Sequence, residues 1–89
     1  MKHYLITVWH DDSITKLREV TRKRRDAAQL QFERAVYDTL EAYGKLDTEA
    51  AHRDMKLAKQ SAKDIVPSDG SSIKVKVSNT GCTVYLRAA

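Results

Sequence analysis

The chain has 89 residues, of which 42% are hydrophobic and 31% are charged, and its formal net charge is +4. This composition is too apolar for a disordered chain, and the single proline and three glycines exclude collagen-like and low-complexity polymers. We therefore expect one globular domain spanning residues 1–89. No apolar run reaches the roughly 18–20 residues that a transmembrane helix needs, so no membrane partner is expected.

The first predicted element is a strand at residues 3–9, where aromatic and β-branched residues dominate. Tyr4, Ile6 and Val8 would share one face of this strand, and Trp9 would lie on the other. Because both faces carry apolar groups, the pattern favours a central strand of a sheet.

Residues 13–43 are predicted to form one long helix. Residues 22–26 contain no apolar side chain, and the helix could break there. Ile14, Leu17 and Val20 form the start of its apolar stripe at helical spacing. In a domain of this size, so long a helix would leave that stripe uncovered, and a second copy of the chain could bury it. The sequence therefore indicates a homodimer through the long helix as one candidate assembly.

An alternative for residues 14–22 is a second strand that forms a hairpin with the first. A separate helix would then begin at Asp26, with Gln29 completing a capping box. Strand residues alternate between two faces, however, and apolar steps of three residues do not match that alternation. The helix is therefore the preferred interpretation.

Gly44 is expected to end this helix, because glycine adopts the left-handed conformation of a helix terminus without a steric penalty. A second helix is predicted at residues 48–65, with Asp47 or Thr48 as its N-cap. The short connection between the two helices indicates an antiparallel helical hairpin.

The last segment predicts an amphipathic β-hairpin, with strands at 73–78 and 82–87 and a turn at Asn79-Thr80-Gly81. A two-stranded hairpin is marginally stable alone, so we expect it to join the first strand in one sheet. The predicted fold is α+β in the order β-α-α-β-β. In this fold a three-stranded antiparallel sheet is covered on one face by the antiparallel helical hairpin.

The excess positive charge is concentrated in residues 14–25, which hold six basic residues and one acid. Such a cluster is typical of a surface that binds a polyanion or an acidic protein, although a solvated helix face also explains it. On a helix, some of these side chains would form a ridge that can follow a phosphate backbone. The predicted phosphate contacts are Arg18, Arg22, Lys23, Arg24 and Arg25.

A second basic surface is predicted on the outer face of the terminal hairpin. Its residues are Lys74, Lys76, Thr83, Tyr85 and Arg87. Basic side chains around an aromatic ring can hold single-stranded nucleic acid, but lysines on an exposed strand also prevent edge-to-edge aggregation. Trp9, expected on the same side of the sheet, is a candidate stacking platform or partner anchor, with burial at the end of the core as the alternative.

Nothing in the sequence predicts an enzyme, a cofactor or a metal site. Glycines at 44, 70 and 81 cannot build a phosphate-binding loop, and no serine lies in a nucleophile elbow. His3, His10 and His52 do not fall at metal-ligand spacing. Cys82 lies within an apolar alternation, where we expect it to pack in the core.

We therefore expect a small non-catalytic basic protein that contacts nucleic acid or a ribonucleoprotein. The alternative is a protein-binding inhibitor or adaptor of the kind that phages and mobile elements encode against host defences, such as anti-CRISPR proteins. That alternative rests on small size and the lack of catalytic groups. With one cysteine the chain can form no internal disulfide, which favours the cytoplasm as its location.

Overall fold

In a computed structural model of the chain, residues 3–64 and 72–88 are described. Their elements follow the order β-β-α-α-β-β. The bounds are β1 Tyr4–His10, β2 Thr15–Arg22, α1 Arg25–Ala42, α2 Glu49–Ala62, β3 Ser72–Val77 and β4 Cys82–Ala88. The four strands form one antiparallel sheet in the order β2-β1-β4-β3. The α+β class is confirmed, but the sheet has four strands rather than the three predicted.

The additional strand is formed by residues that were predicted to be the first half of a long helix. Ile14 lies in the β1–β2 turn with φ at +50°. Leu17 has no partner on β1, because the register between the two strands shifts there at a β-bulge. Of the three apolar residues, only Val20 occupies a regular strand position, opposite Ile6. The three-residue spacing that suggested a helix is therefore produced by a turn and a bulge.

Helix α1 begins at Arg25 instead of residue 13, so the long helix on which a homodimer was predicted does not form. Its N-cap residue, Arg24, makes no capping hydrogen bond through its side chain. Asp26 lies inside the first turn, where its carboxylate accepts a hydrogen bond from the backbone N–H of Ala27 at 2.9 Å. The helix dipole stabilises an acidic residue at this position. Asp26 therefore supports the start of α1 without being its cap.

The connection between the helices forms as predicted. Gly44 has φ at +67° and donates a backbone hydrogen bond to Glu41, while the next amide donates to the carbonyl of Leu40. These two bonds define a Schellman motif, which needs the left-handed residue that glycine supplies. Thr48 caps α2, since its hydroxyl accepts a hydrogen bond from the N–H of Ala51 at 3.1 Å. The predicted end of this helix, residue 65, lies outside the described residues.

The core lies between the helices and one face of the sheet. Its largest fully buried side chains are Phe32, Ile6, Leu40, Leu86, Val36, Val75, Val77, Val84 and Cys82. Cys82 therefore packs in the core as predicted. Its sulfur lies 3.6 Å from the Tyr43 hydroxyl oxygen and raises the pKa of Tyr43, because it disfavours a negative charge on the neighbouring phenol. Neither described helix is long and apolar enough to cross a membrane.

Candidate functional site

The sheet face turned away from the helices brings together side chains from all four strands. The strand registers arrange them in three rows that run from β2 to β3. The rows are Thr21, Leu5, Arg87 and Ser72; then Glu19, Thr7, Tyr85 and Lys74; then Lys16, Trp9, Thr83 and Lys76. We call these twelve residues the open face. On β1, β3 and β4 they alternate with core residues, and on β2 with side chains that face α1, because successive side chains of a strand point to opposite faces.

Trp9 and Tyr85 are diagonal neighbours on the two central strands of the open face. Trp9 lies opposite Thr83, and Tyr85 lies opposite Thr7. Diagonal neighbours of this kind have Cα atoms about 7–8 Å apart, within reach of aromatic side chains. The indole N–H of Trp9 donates to the Thr7 hydroxyl at 3.1 Å, which draws the ring along its strand toward Tyr85. Both rings are half-buried, and Thr7 is only 8% exposed. The pair therefore forms an apolar platform that can accept planar groups.

The basic side chains of the open face are concentrated on its β3–β4 side. Lys16, on β2, is paired with Glu19 at 2.9 Å, and this ion pair offsets its charge. Lys74, Lys76 and Arg87 are exposed, and none of them forms a salt bridge within residues 3–64 and 72–88. Three positive charges are therefore available beside the aromatic platform.

A groove of about 630 Å³ runs across the open face, lined at one end by Arg87 and at the other by Ile14 of the β1–β2 turn. Two hydrogen bonds hold that turn in place. The backbone N–H of Asp11 donates to the carbonyl of Gly81 at 2.8 Å, and the Thr83 hydroxyl donates to the Asp11 carboxylate. The turn is thus fixed at the end of the groove by contacts with β4 and the turn before it.

The predicted arginine ridge is not formed. Arg18 and Arg22 lie on strand β2 and face α1, on the opposite side from the open face. Arg18 pairs with Asp38 at 3.3 Å, and Arg22 donates to the side-chain oxygen of Gln31 at 3.1 Å. The physical reason is that the ridge needs one helix to carry Arg18, Arg22 and Arg25 along one side, whereas β2 ends at Arg22 and Arg25 begins α1.

The remaining basic residues of this segment, at 23–25, do not share a surface with Arg18 and Arg22. Lys23 and Arg24 lie between β2 and α1, and Arg24 pairs with Asp26 at 2.9 Å. Arg25 begins α1 and donates to the backbone carbonyl of Lys63 at 2.7 Å. The five predicted phosphate contacts therefore do not share one face, and four of them are engaged by polar groups of the same chain.

The second predicted surface has the arrangement expected from strand alternation. Trp9, Lys74, Lys76, Tyr85 and Arg87 all lie on the open face. Of the residues that line the groove, sequence reasoning predicted Trp9, Tyr85 and Arg87 and missed the others, among them Lys16 and Ile14. Regular strand alternation along residues 14–22 would place Lys16 on the face of Arg18 and Arg22, and only the bulge in the pairing with β1 brings it opposite Trp9 on the open face.

Among residues 3–64 and 72–88, no group of three His, Cys, Asp or Glu side chains is placed to hold a metal ion. Comparison with protein-family models, with curated proteins and with solved structures finds no match to this chain. The open face is therefore interpreted from the chemistry of its own side chains.

Proposed function

We propose that this protein binds single-stranded nucleic acid on the open face and catalyses no reaction. One observation carries the proposal. One sheet face, which neither described helix covers, carries two neighbouring aromatic rings and three cations that lack a carboxylate partner within the described residues. Unpaired bases stack on aromatic rings, and lysine and arginine neutralise phosphates.

The register supports an assignment of roles to individual side chains. Tyr85 lies beside Lys74 in one row, and Trp9 shares the next row with Lys76. Each aromatic ring therefore has one lysine in its own row, on the β3 side. We assign one base to each ring, with the phosphates that connect them running along β3. The indole N–H of Trp9 is already bonded to Thr7, so this ring contributes stacking and not hydrogen-bond recognition of a base.

Protection of a sheet edge does not account for the whole arrangement. β3 is an edge strand, so lysines there would also discourage pairing with another chain. Trp9 and Tyr85, however, lie on the central strands β1 and β4, where edge protection has no role. A solvent-facing side of an antiparallel sheet is usually polar, and two half-buried aromatic rings side by side on it support a binding surface.

Single strands fit this surface better than duplexes. Stacking on the platform requires bases that are free of their own partners, as in loops and single strands. A duplex is usually read by a helix or a β-ribbon that enters a groove, and the open face is a broad sheet surface.

Trp9 allows a direct test, because it is the only tryptophan in the chain. Titration with an oligonucleotide of about 10 nucleotides, as RNA and as DNA, is expected to quench its fluorescence. The affinity should fall steeply between about 50 and 200 mM salt, because each neutralised phosphate releases counterions. Anisotropy of a labelled oligonucleotide provides the second, independent measurement.

Matched variants locate the site. In Lys74→Ala/Lys76→Ala, loss of two phosphate contacts should reduce the slope of log affinity against log salt by about 1.4. The control, Lys56→Ala/Lys59→Ala, removes two exposed lysines from α2 and should leave that slope unchanged. Tyr85→Ala should weaken binding roughly tenfold through loss of one stacked base. The exposed Tyr37 of α1 provides the matched control, Tyr37→Ala.

Two results would overturn the proposal. One is the absence of both quenching and an anisotropy change at about 50 mM salt. The other is an equal effect of the α2 lysine pair and the β3 lysine pair, which would show that binding does not use the open face. Failure to bind nucleic acid, together with stoichiometric capture of an acidic protein from a nuclease-treated lysate, would instead support an inhibitor or adaptor.

A further inference from the structure

Ile14 occupies an unusual position in the β1–β2 turn. Its side chain is 81% exposed, the highest value among the large exposed hydrophobic residues of the described chain. It also lines the groove of the open face, at the end where Trp9 and Lys16 lie. No contact with the core explains an isoleucine at this place.

The backbone of Ile14 is also strained. Its φ is +50°, in the left-handed region, where a β-branched side chain is crowded by its own backbone. Three other positions in the described ranges have positive φ, and these are Gly44, Asn79 and Gly81. Glycine and asparagine adopt this conformation readily, so Ile14 is the one position at which the residue type opposes the local conformation.

Neighbouring contacts hold the turn in this conformation. Asp11 is bonded to Gly81 and Thr83, as described above. The Thr15 hydroxyl donates to the carbonyl of Ser13 at 3.3 Å, immediately beside Ile14. The surrounding hydrogen bonds therefore fix the direction of an apolar side chain that the fold itself does not bury. Strain that is maintained in this way is a feature of residues that contact ligands.

We propose that Ile14 is a contact residue for the nucleic acid, and that it packs its side chain against the base that follows the one stacked on Trp9. This inference rests on the proposed function of the open face. Apolar side chains pack against base faces and insert between adjacent bases in many nucleic-acid complexes. Ile14 lies at the end of the groove, beyond Trp9 and away from Arg87, so it ends the track of bound bases on that side.

The test separates binding from stability through two variants that relieve the strain. Ile14→Gly and Ile14→Asn should raise the midpoint of thermal unfolding by roughly 4–8 °C. Both should also weaken oligonucleotide binding by about tenfold, the effect of losing one packed base. Ile14→Val keeps a β-branched apolar group, so its thermal midpoint and its affinity for the oligonucleotide should both equal those of the wild type. Ser13→Gly adds flexibility beside Ile14 and keeps the Ile14 side chain. It removes only the exposed contact of the Ser13 hydroxyl with His10, at 3.3 Å, and should leave the affinity unchanged.

The outcomes distinguish this inference from the proposed function. If the wild-type chain binds and Ile14→Gly and Ile14→Asn bind equally well, Ile14 is not a contact and the inference is wrong, while the function stands. A loss of affinity in Ser13→Gly equal to that in Ile14→Gly would assign the effect to turn flexibility and would also overturn the inference. If the wild-type chain does not bind, the proposed function itself fails.

Discussion

The hydroxyl of Thr83 donates a hydrogen bond to the carboxylate of Asp11, with oxygen–oxygen distances of 2.8 and 2.9 Å. The two residues are 72 positions apart in the chain. The bond connects strand β4 to the β1–β2 turn, and Thr83 is only 6% exposed as a result of its central position. It thereby couples the stability of the sheet to the placement of the turn that borders the groove.

Thr83→Val is expected to lower the free energy of unfolding by about 1 kcal/mol, because it removes this hydrogen bond while preserving the shape of the side chain. Urea denaturation measures the loss, and hydrogen exchange should show faster opening of the turn amides. Thr15→Val is the control, since its exposed hydroxyl makes a longer bond, and a change within about 0.5 kcal/mol is expected. Equal effects in both variants would contradict a specific role for the bond to Asp11.

Asp54 stabilises the packing of α2 against the β3–β4 turn. Its buried carboxylate accepts hydrogen bonds from the backbone N–H of Ser78 at 2.8 Å and from the Ser78 hydroxyl at 3.2 Å. Asp54→Ala should cost about 2 kcal/mol, because the Ser78 amide loses its acceptor. Ser78→Ala should cost less than about 1 kcal/mol, since the bond to the amide remains. Chemical denaturation checks both values, and the reverse order would refute this assignment.

Glycine is needed at position 44 because of the backbone conformation there, and not because a side chain would lack space. The φ of Gly44 is +67°, and an added Cβ would meet no atom within 4 Å. Gly44→Ala should therefore destabilise the protein by roughly 1 kcal/mol, from backbone strain alone. The corresponding fall in the thermal midpoint is about 4–8 °C. Gly44→Asn should have a smaller effect because asparagine tolerates this conformation, and an equal fall in both variants would contradict that explanation.

The arginine-rich segment at residues 18–25 should contribute less to nucleic-acid binding than Lys74 and Lys76 of β3. Replacing Arg22, Arg24 and Arg25 together with alanine removes more charge than Lys74→Ala/Lys76→Ala does. The arginines lie off the open face and contact groups of the same chain, so they act only through a screened, long-range field. We expect less than about a threefold loss of affinity, measured by anisotropy, against roughly tenfold for the lysine pair. A larger loss in the arginine variant would move the binding surface away from the open face.

Local signals in the sequence predicted much of this fold. The end of α1 at Gly44 and the cap of α2 at Thr48 depend on residues within one helical turn, and both were recognisable. The position of Trp9 opposite the core face of β1 follows from strand alternation alone. For the same reason, the aromatic and basic residues of the terminal hairpin were predicted to share a face with it.

Strand β2 was misassigned because its pattern depends on another strand. Ile14 lies in a turn and Leu17 at a bulge, and both features exist only in relation to β1. Leu17 is 53% exposed, so the apolar spacing that favoured a helix does not describe a buried stripe at all. The expected arginine ridge was wrong for the same reason, since it required a helical period.

The amino-acid sequence by itself determined the α+β class, the helical hairpin, the terminal β-hairpin and the two sides of the first strand. Each of these depends on interactions between residues close together in the chain, whose spacing is visible as a period. Only the tertiary structure decided that residues 15–22 join the sheet, that Arg18 and Arg22 turn toward α1, and that Ile14 borders the groove. These features depend on how β2 pairs with β1 and how the sheet packs against α1, and the burial of the shared core selects that arrangement.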